Sequence, residues 1–393
     1  MRKKAAGTGE DPFRVLPDDL LEHILSFLPE DDALQTCVLD TQWRDLWRRK
    51  TSLHFMFEDW SSFSRERFTQ LVKLIIQLRG EASLTDCQID PCSGEYYINF
   101  TEAEPLIEYV LKCRVEKLSI CAGDIWYEGI LLDERFISRH LRTIEFGGVD
   151  LLGYSLDFSA CPALEELKIK GCNIDPWAIC SESLKHLWIG DCVLSEEIHI
   201  PIAAPRLISL ELSSFQCLTP SLEAIPLLEK ASILLASWCY DVCQSVEEDF
   251  SKRKVRVECG CANEKCLLLN GLSNAVELKL IAVPKLLIFK RDLEWCPKFD
   301  RLKTLTLNEW FTATDLFCIL KNSPILEKLN LQLGNTKNFV GATGSKQSFA
   351  CASILAVNIE CRRVDEGVRK ILEVLSTCGI LREQISLKCR DRT

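Results

Sequence analysis

A short frame, L-x-x-L-x-L, returns nine times along this chain and limits what it can fold into. It reads Val115/Leu118/Ile120, Leu141/Ile144/Phe146, Leu164/Leu167/Ile169, Leu184/Leu187/Ile189, Leu207/Leu210/Leu212, Leu228/Ala231/Ile233, Ala275/Leu278/Leu280, Leu302/Leu305/Leu307 and Leu326/Leu329/Leu331. The starts lie 26, 23, 20, 23, 21, 47, 27 and 24 residues apart. Each frame is a strand whose alternate side chains turn inward. One such strand cannot bury its apolar face alone, whereas stacked neighbours bury it together and join into one sheet.

A frame of this form at a period of 20–29 residues marks leucine-rich repeats. The 47-residue step is close to two periods, so a degenerate unit is expected near Val255-Arg256-Val257. The repeat wants a small, weakly polar residue at a tight inward turn, and Cys172 and Cys192 fall there. Gly123, Val149, Phe215, Trp310 and Gly334 hold that place in other copies, so the solenoid is irregular. The returns between strands are short and contain Pro162, Pro201, Pro205, Pro226, Pro297 and Pro324, which favours irregular connections over packed helices.

Composition narrows the function classes. With 47 Lys and Arg against 57 Asp and Glu, the net charge of −10 disfavours phosphate-backbone binding, and no nucleic-acid partner is expected. The chain has 21 cysteines, an odd number, spread too widely for a secreted disulfide scaffold. They read as small buried hydrophobes in a reducing compartment, hence an intracellular protein of nucleus or cytoplasm. Met1-Arg2-Lys3-Lys4 is basic, but no apolar segment follows it as in a signal peptide, and no run approaches the length needed to span a bilayer.

Residues 12–58 form a dense apolar block. Pro17 suits a first helical turn, and Asp18, Asp19 and Glu22 complement the helix dipole. Leu20, Leu21, Ile24, Leu25 and Leu28 follow at helical spacing, with Phe27 off that face, and Pro29 ends the helix. Asp31 or Asp32 is placed to cap a second helix carrying Leu34, Cys37 and Val38. Leu39, Trp43, Leu46 and Trp47 mark a third, whose end is loaded with Arg44, Arg48, Arg49 and Lys50. A unit of three short helices has a marginal core. Its large apolar groups exceed what it can bury, which implies a partner surface of the helix-in-groove kind.

The run Leu16-Pro17-Asp18-Asp19-Leu20-Leu21-Glu22-His23-Ile24-Leu25-Ser26-Phe27-Leu28-Pro29, then Cys37-Val38-Leu39, then Trp43-Arg44-Asp45-Leu46-Trp47, resembles the F-box of flowering-plant F-box/LRR proteins. Asp40-Thr41-Gln42 departs from the serine and basic residues usual there. The resemblance implies docking on a Skp-type adaptor, and through it a cullin, by Leu16, Pro17, Leu20, Ile24, Leu25, Val38 and Trp43. Each of these also fits the internal core of a three-helix unit. Ile354 to Cys389, with Cys361-Arg362-Arg363-Val364-Asp365-Glu366 and Ile371-Leu372-Glu373-Val374-Leu375-Ser376-Thr377-Cys378-Gly379, resembles the FBD segment of the same family. It would cap the solenoid with a strand at 354–359, a helix ended by Gly379, and a strand at 384–387.

The expected architecture is therefore α/β. A three-helix F-box (12–58) leads through a linker and N-terminal cap (59–112, one amphipathic helix over 68–78, then loop and one strand) into leucine-rich repeats (113–345) with a parallel β-sheet on the concave face. An α/β FBD-like segment (346–393) ends it. Trp188, pointing outward from its strand, is a candidate contact for a target protein unless a neighbouring loop packs it.

No catalytic, cofactor or metal motif stands out. Cys259-Gly260-Cys261 with Cys266, Cys239 and Cys243 lacks the paired spacing of zinc sites, and 341–346 reads as a flexible turn rather than a phosphate loop. The chain reads as a non-enzymatic substrate receptor of a Skp–cullin–F-box ubiquitin ligase. The alternatives are a repeat scaffold uncoupled from ubiquitination, suggested by Asp40-Thr41-Gln42, and a thiol enzyme, suggested by the cysteines alone.

Overall fold

The structure, a computed structural model, describes residues 16–28, 30–38, 41–56, 65–90, 100–122, 130–236, 239, 266–284, 286, 288–334, 351 and 353–389. It forms two compact units, one comprising residues to 130 together with 138–149, the other 131–137 and 150–393.

The first unit opens with three helices, α1 (Asp18–Ser26), α2 (Glu30–Thr36) and α3 (Thr41–Arg49). Four parallel strands follow, Ser52–Met56, Asp86–Asp90, Lys117–Cys121 and Thr143–Gly147, hydrogen-bonded in chain order. Leu53 and Phe55, Cys87 and Ile89, Leu118 and Ile120, Ile144 and Phe146 point inward at alternate positions and are buried. Two helices return the chain between strands, α4 (Arg65–Arg79) and α5 (Phe100–Lys112). Val72 and Ile75 of α4, with Leu106, Ile107, Tyr109 and Val110 of α5, close the core over the strands. The Tyr109 hydroxyl donates to the carbonyl of Gly80 at 2.7 Å, and burial raises its pKa to about 12.

The second unit is built on nine parallel strands in chain order: Glu166–Lys170, His186–Gly190, Ser209–Ser213, Lys230–Leu235, Glu277–Ala282, Thr304–Asn308, Lys328–Leu333, Ala356–Cys361 and Ile385–Cys389. The frame leucines form two buried columns, from Leu167 and Ile169 to Val357 and Ile359. On the open face Asn358 donates to Asn330 at 2.9 Å and Asn330 to Thr306 at 3.2 Å. The returns change character along the unit. Early ones are short strands that make a four-stranded sheet (Leu131–Leu132, Asp150–Gly153, Asn173–Pro176, Val193–Leu194) and a three-stranded one (Ile179–Cys180, Pro201–Ala203, Ser221–Leu222). Later ones are helices, α6 (Ile288–Trp295), α7 (Ala313–Lys321) and α8 (Glu366–Thr377).

Parallel strands with leucine columns inside bear out the leucine-rich-repeat reading, and Cys172 and Cys192 occupy the expected inward turn. Both are fully buried, and the Cys192 sulfur receives the Cys172 amide at 3.5 Å. Four expectations need correction. Repeat strands begin at Ser52, well before Val115. The segment before the 117–121 strand holds a second helix, α5, which keeps Pro105 inside it because its face is buried at Leu106, Ile107, Tyr109 and Val110. The late returns are helical despite their prolines, which flank the helices rather than interrupt them. Lys230–Leu235 pairs directly with Glu277–Ala282, so no further strand lies between them. Residues 255–257, Cys243, Cys259, Cys261, the 341–346 run, Gly123, Pro29, Leu39 and Asp40 lie outside the described residues.

Candidate adaptor-docking surface

Helix α1 follows Pro17, whose backbone is extended (φ −59°, ψ 148°) and whose side chain offers no cap. Asp18 and Asp19 fill its first turn, next to the positive end of the dipole. The Asp18 carboxylate accepts from the Gln42 amide at 3.0 Å and from the Arg49 guanidinium at 3.1 Å. These bonds hold its pKa below the usual value and tie the start of α1 to both ends of α3. Gln42, a residue of the unusual Asp40-Thr41-Gln42 run, thus has a structural use.

The helix is apolar along two stripes. Leu21 and Leu25 are fully buried on the side packed against α3, where Leu46 and Trp47 are fully buried and Trp43 is 6% exposed. Beside them run Pro17, Leu20, Ile24 and Phe27, spaced three, four and three residues apart and so aligned on one helical face. Leu20 is 50% and Phe27 73% exposed, and Ile24 is half-buried. His23 stands edge-on to Phe27, ring centroids 4.7 Å apart. Val38, in the turn after α2, is 86% exposed.

The residues expected to meet an adaptor therefore divide. Pro17, Leu20 and Val38 are exposed, Leu16 and Ile24 half-buried, and Leu25 and Trp43 are interior. Phe27, absent from the expected set, follows directly on α1 as its C-terminal cap and is more exposed than any apolar residue within the helix. Its i+3 and i+7 spacing from Ile24 and Leu20 was the signal that could have found it. Asp31 and Asp32 do not cap α2. The helix begins one residue earlier, at Glu30.

Glu30 has another role. Its carboxylate pairs with the Lys50 ammonium at 2.6 Å, both side chains at most 3% exposed, and accepts the backbone N–H of His54 at 2.9 Å. Arg79 of α4 donates to the Lys50 carbonyl and to that of Ala82. One buried carboxylate thus joins α2, the end of α3 and the first repeat strand.

On the repeats, Trp188 is half-buried on the open face, between Lys168 and Glu211 in register. It lies over Gly190, where an added Cβ would come within 2.5 Å of the indole ring. A side chain at Gly190 would have to displace the indole, which occupies that space. Among the described residues no group of three or more His, Cys, Asp or Glu is placed to hold a metal ion, and no helix is long and apolar enough to cross a membrane.

Comparison with known proteins follows the same division. The F-box domain profile matches residues 13–55. An F-box/LRR-repeat protein of Arabidopsis thaliana is 26% identical over 376 residues, covering 82% of this chain and 69% of its own. An F-box/FBD/LRR-repeat protein of the same plant is 24% identical over 410 residues, covering 92% and 85%. An FBD-associated F-box protein is 33% identical over 126 residues, covering 31% and 27%.

Proposed function

We propose that this chain, which carries an F-box domain at its N-terminus and is similar along most of its length to Arabidopsis F-box/LRR-repeat and F-box/FBD/LRR-repeat proteins, is the target-recognition subunit of a Skp–cullin–F-box ubiquitin ligase. The observation that carries this reading is the outward stripe of α1, Pro17, Leu20, Ile24 and Phe27, on a helix already buried along its neighbouring face. Covering a large exposed side chain of this kind contributes roughly 1.5–3 kcal/mol. A Skp-type groove that accepts the stripe would hold the chain to the cullin. The repeats would hold a target, and the linkage would raise the target's effective concentration beside the ubiquitin-charged enzyme. In this reading the chain binds and positions, and bond chemistry belongs to other subunits. The many cysteines buried as thiols support a site of action in nucleus or cytoplasm.

The test is co-elution of the full chain with a Skp-type adaptor. Leu20→Asp with Phe27→Asp, both at the surface, should abolish it while the circular dichroism spectrum stays that of the parent. Retained co-elution would refute adaptor docking through α1. The scaffold reading gains if docking occurs but target half-life is unchanged on deleting residues 1–58.

A further inference from the structure

A second exposed aromatic surface lies in the other unit, on the early returns between repeat strands. Leu131–Leu132 pairs with Asp150–Gly153, and that strand with Asn173–Pro176. Where the pairing ends, each of the last two coils puts out one ring. The Tyr154 N–H donates to the carbonyl of Asp133 at 2.9 Å, and the Trp177 N–H to that of Gly153 at 3.1 Å, so the rings occupy successive positions on neighbouring coils. Tyr154 is 57% and Trp177 69% exposed. A single exposed ring is an ordinary surface feature, whereas two large rings at matching register positions of adjacent coils, each more than half exposed, are not scattered.

The charge around them selects the occupant. The segments 131–137, 150–157 and 173–180 hold five carboxylates, Asp133, Glu134, Asp150, Asp157 and Asp175, against one cation, Arg135. Two of the five are engaged: Asp150 receives the Asn173 amide at 2.6 Å, and Asp157 receives the Arg135 guanidinium. Asp133, Glu134 and Asp175 are exposed and form no ion pair among the described residues. Arg135 also lies 5.7 Å from the centre of the Tyr154 ring. The surface thus already displays, with its own arginine, a guanidinium held by a ring and a carboxylate. Trp177, with Asp175 two residues before it, offers the same two groups to solvent on the next coil. Indole is the strongest of the aromatic partners for a cation.

We propose that this face binds an arginine- or lysine-bearing segment of a partner protein. Nucleic acid is disfavoured by the carboxylates, and so is a symmetric contact with a second copy, which would set carboxylate against carboxylate. The surface does not depend on adaptor docking through α1, and its test makes no use of the adaptor. Random short peptides displayed on phage are panned on the immobilised full chain at low and at physiological salt. Enriched peptides should be rich in Arg and Lys, and should weaken as salt rises. Trp177→Ala, which removes an exposed side chain and leaves the core intact, should weaken them by roughly ten-fold. Asp133→Asn with Glu134→Gln and Asp175→Asn should have a similar effect. Enrichment without basic residues, or basic peptides bound equally by parent and Trp177→Ala, would overturn the proposal. So would a chain that sediments as a dimer and becomes monomeric with Trp177→Ala, since the face would then belong to a second copy.

Discussion

Single buried polar groups carry much of the specificity of this fold. Asp292, 3% exposed, accepts the backbone N–H groups of Leu267, Leu268 and Leu269 at 2.9, 2.7 and 2.9 Å. Asp292→Ala would leave the buried N–H groups of Leu268 and Leu269 and the half-buried one of Leu267 without this acceptor, and chemical denaturation should show a loss of about 2–5 kcal/mol. Lys50 is a parallel case. Lys50→Met strands the Glu30 carboxylate in the interior at a cost of about 3–5 kcal/mol, whereas Glu30→Gln with Lys50→Met should recover part of that loss. Cys318 gives a pH-dependent readout. Its pairing with Cys296 lowers its pKa from 9.0 to about 7, and the same pairing raises that of Cys296. Alkylation of Cys318 in the folded chain, followed by mass spectrometry, should therefore reach half its limiting rate at a lower pH than an ordinary thiol does. Cys296→Ala should move the midpoint upward, because the thiolate loses its donor. None of these three was legible in the sequence. A buried Asp, Lys or Cys in one dimension looks like any other, and only the return of the chain brings it to its partner.

At the scale of the element, legibility followed periodicity. The frames predicted the strands because alternation is a property of the strand itself. Helices α1, α3 and α4 were readable from apolar spacing. α5 was hidden by Pro105, and the strand at Ser52 by its position straight after an apolar helical block. α7 shows how local chemistry fixes a boundary: the Thr312 hydroxyl accepts the Asp315 N–H at 3.3 Å, and the Asp315 carboxylate accepts the Thr312 N–H at 2.7 Å. Thr312→Ala should cost about 1 kcal/mol in thermal or chemical unfolding. The exposed stripe of α1 was only half legible. Spacing identifies which residues of α1 are apolar, but Leu20 and Leu21 are adjacent in sequence, and packing on α3 decides which of them turns inward.

For the whole molecule, repetition was the strongest signal, and its irregularities were the least readable part. Nothing in the 47-residue step distinguishes a hidden repeat from an insertion, and the direct pairing of Lys230–Leu235 with Glu277–Ala282 shows that the sheet runs on across it without an intervening strand. A stacked sheet also needs closed ends. The last strand, Ile385–Cys389, shields Ala356–Cys361 along one edge. Removing residues 385–393 would move the sheet's unpaired edge from that exposed strand to the more apolar Ala356–Cys361, and light scattering should show concentration-dependent association. The opposite arrangement holds where α2 meets the first repeat strand. There the carboxylate of Glu30 bonds both Lys50 and the backbone of the strand itself, so the joint is welded and not hinged. Whatever grips α1 from outside would therefore also set the heading of that first strand, because one carboxylate ties α2, the end of α3 and the strand into a single piece.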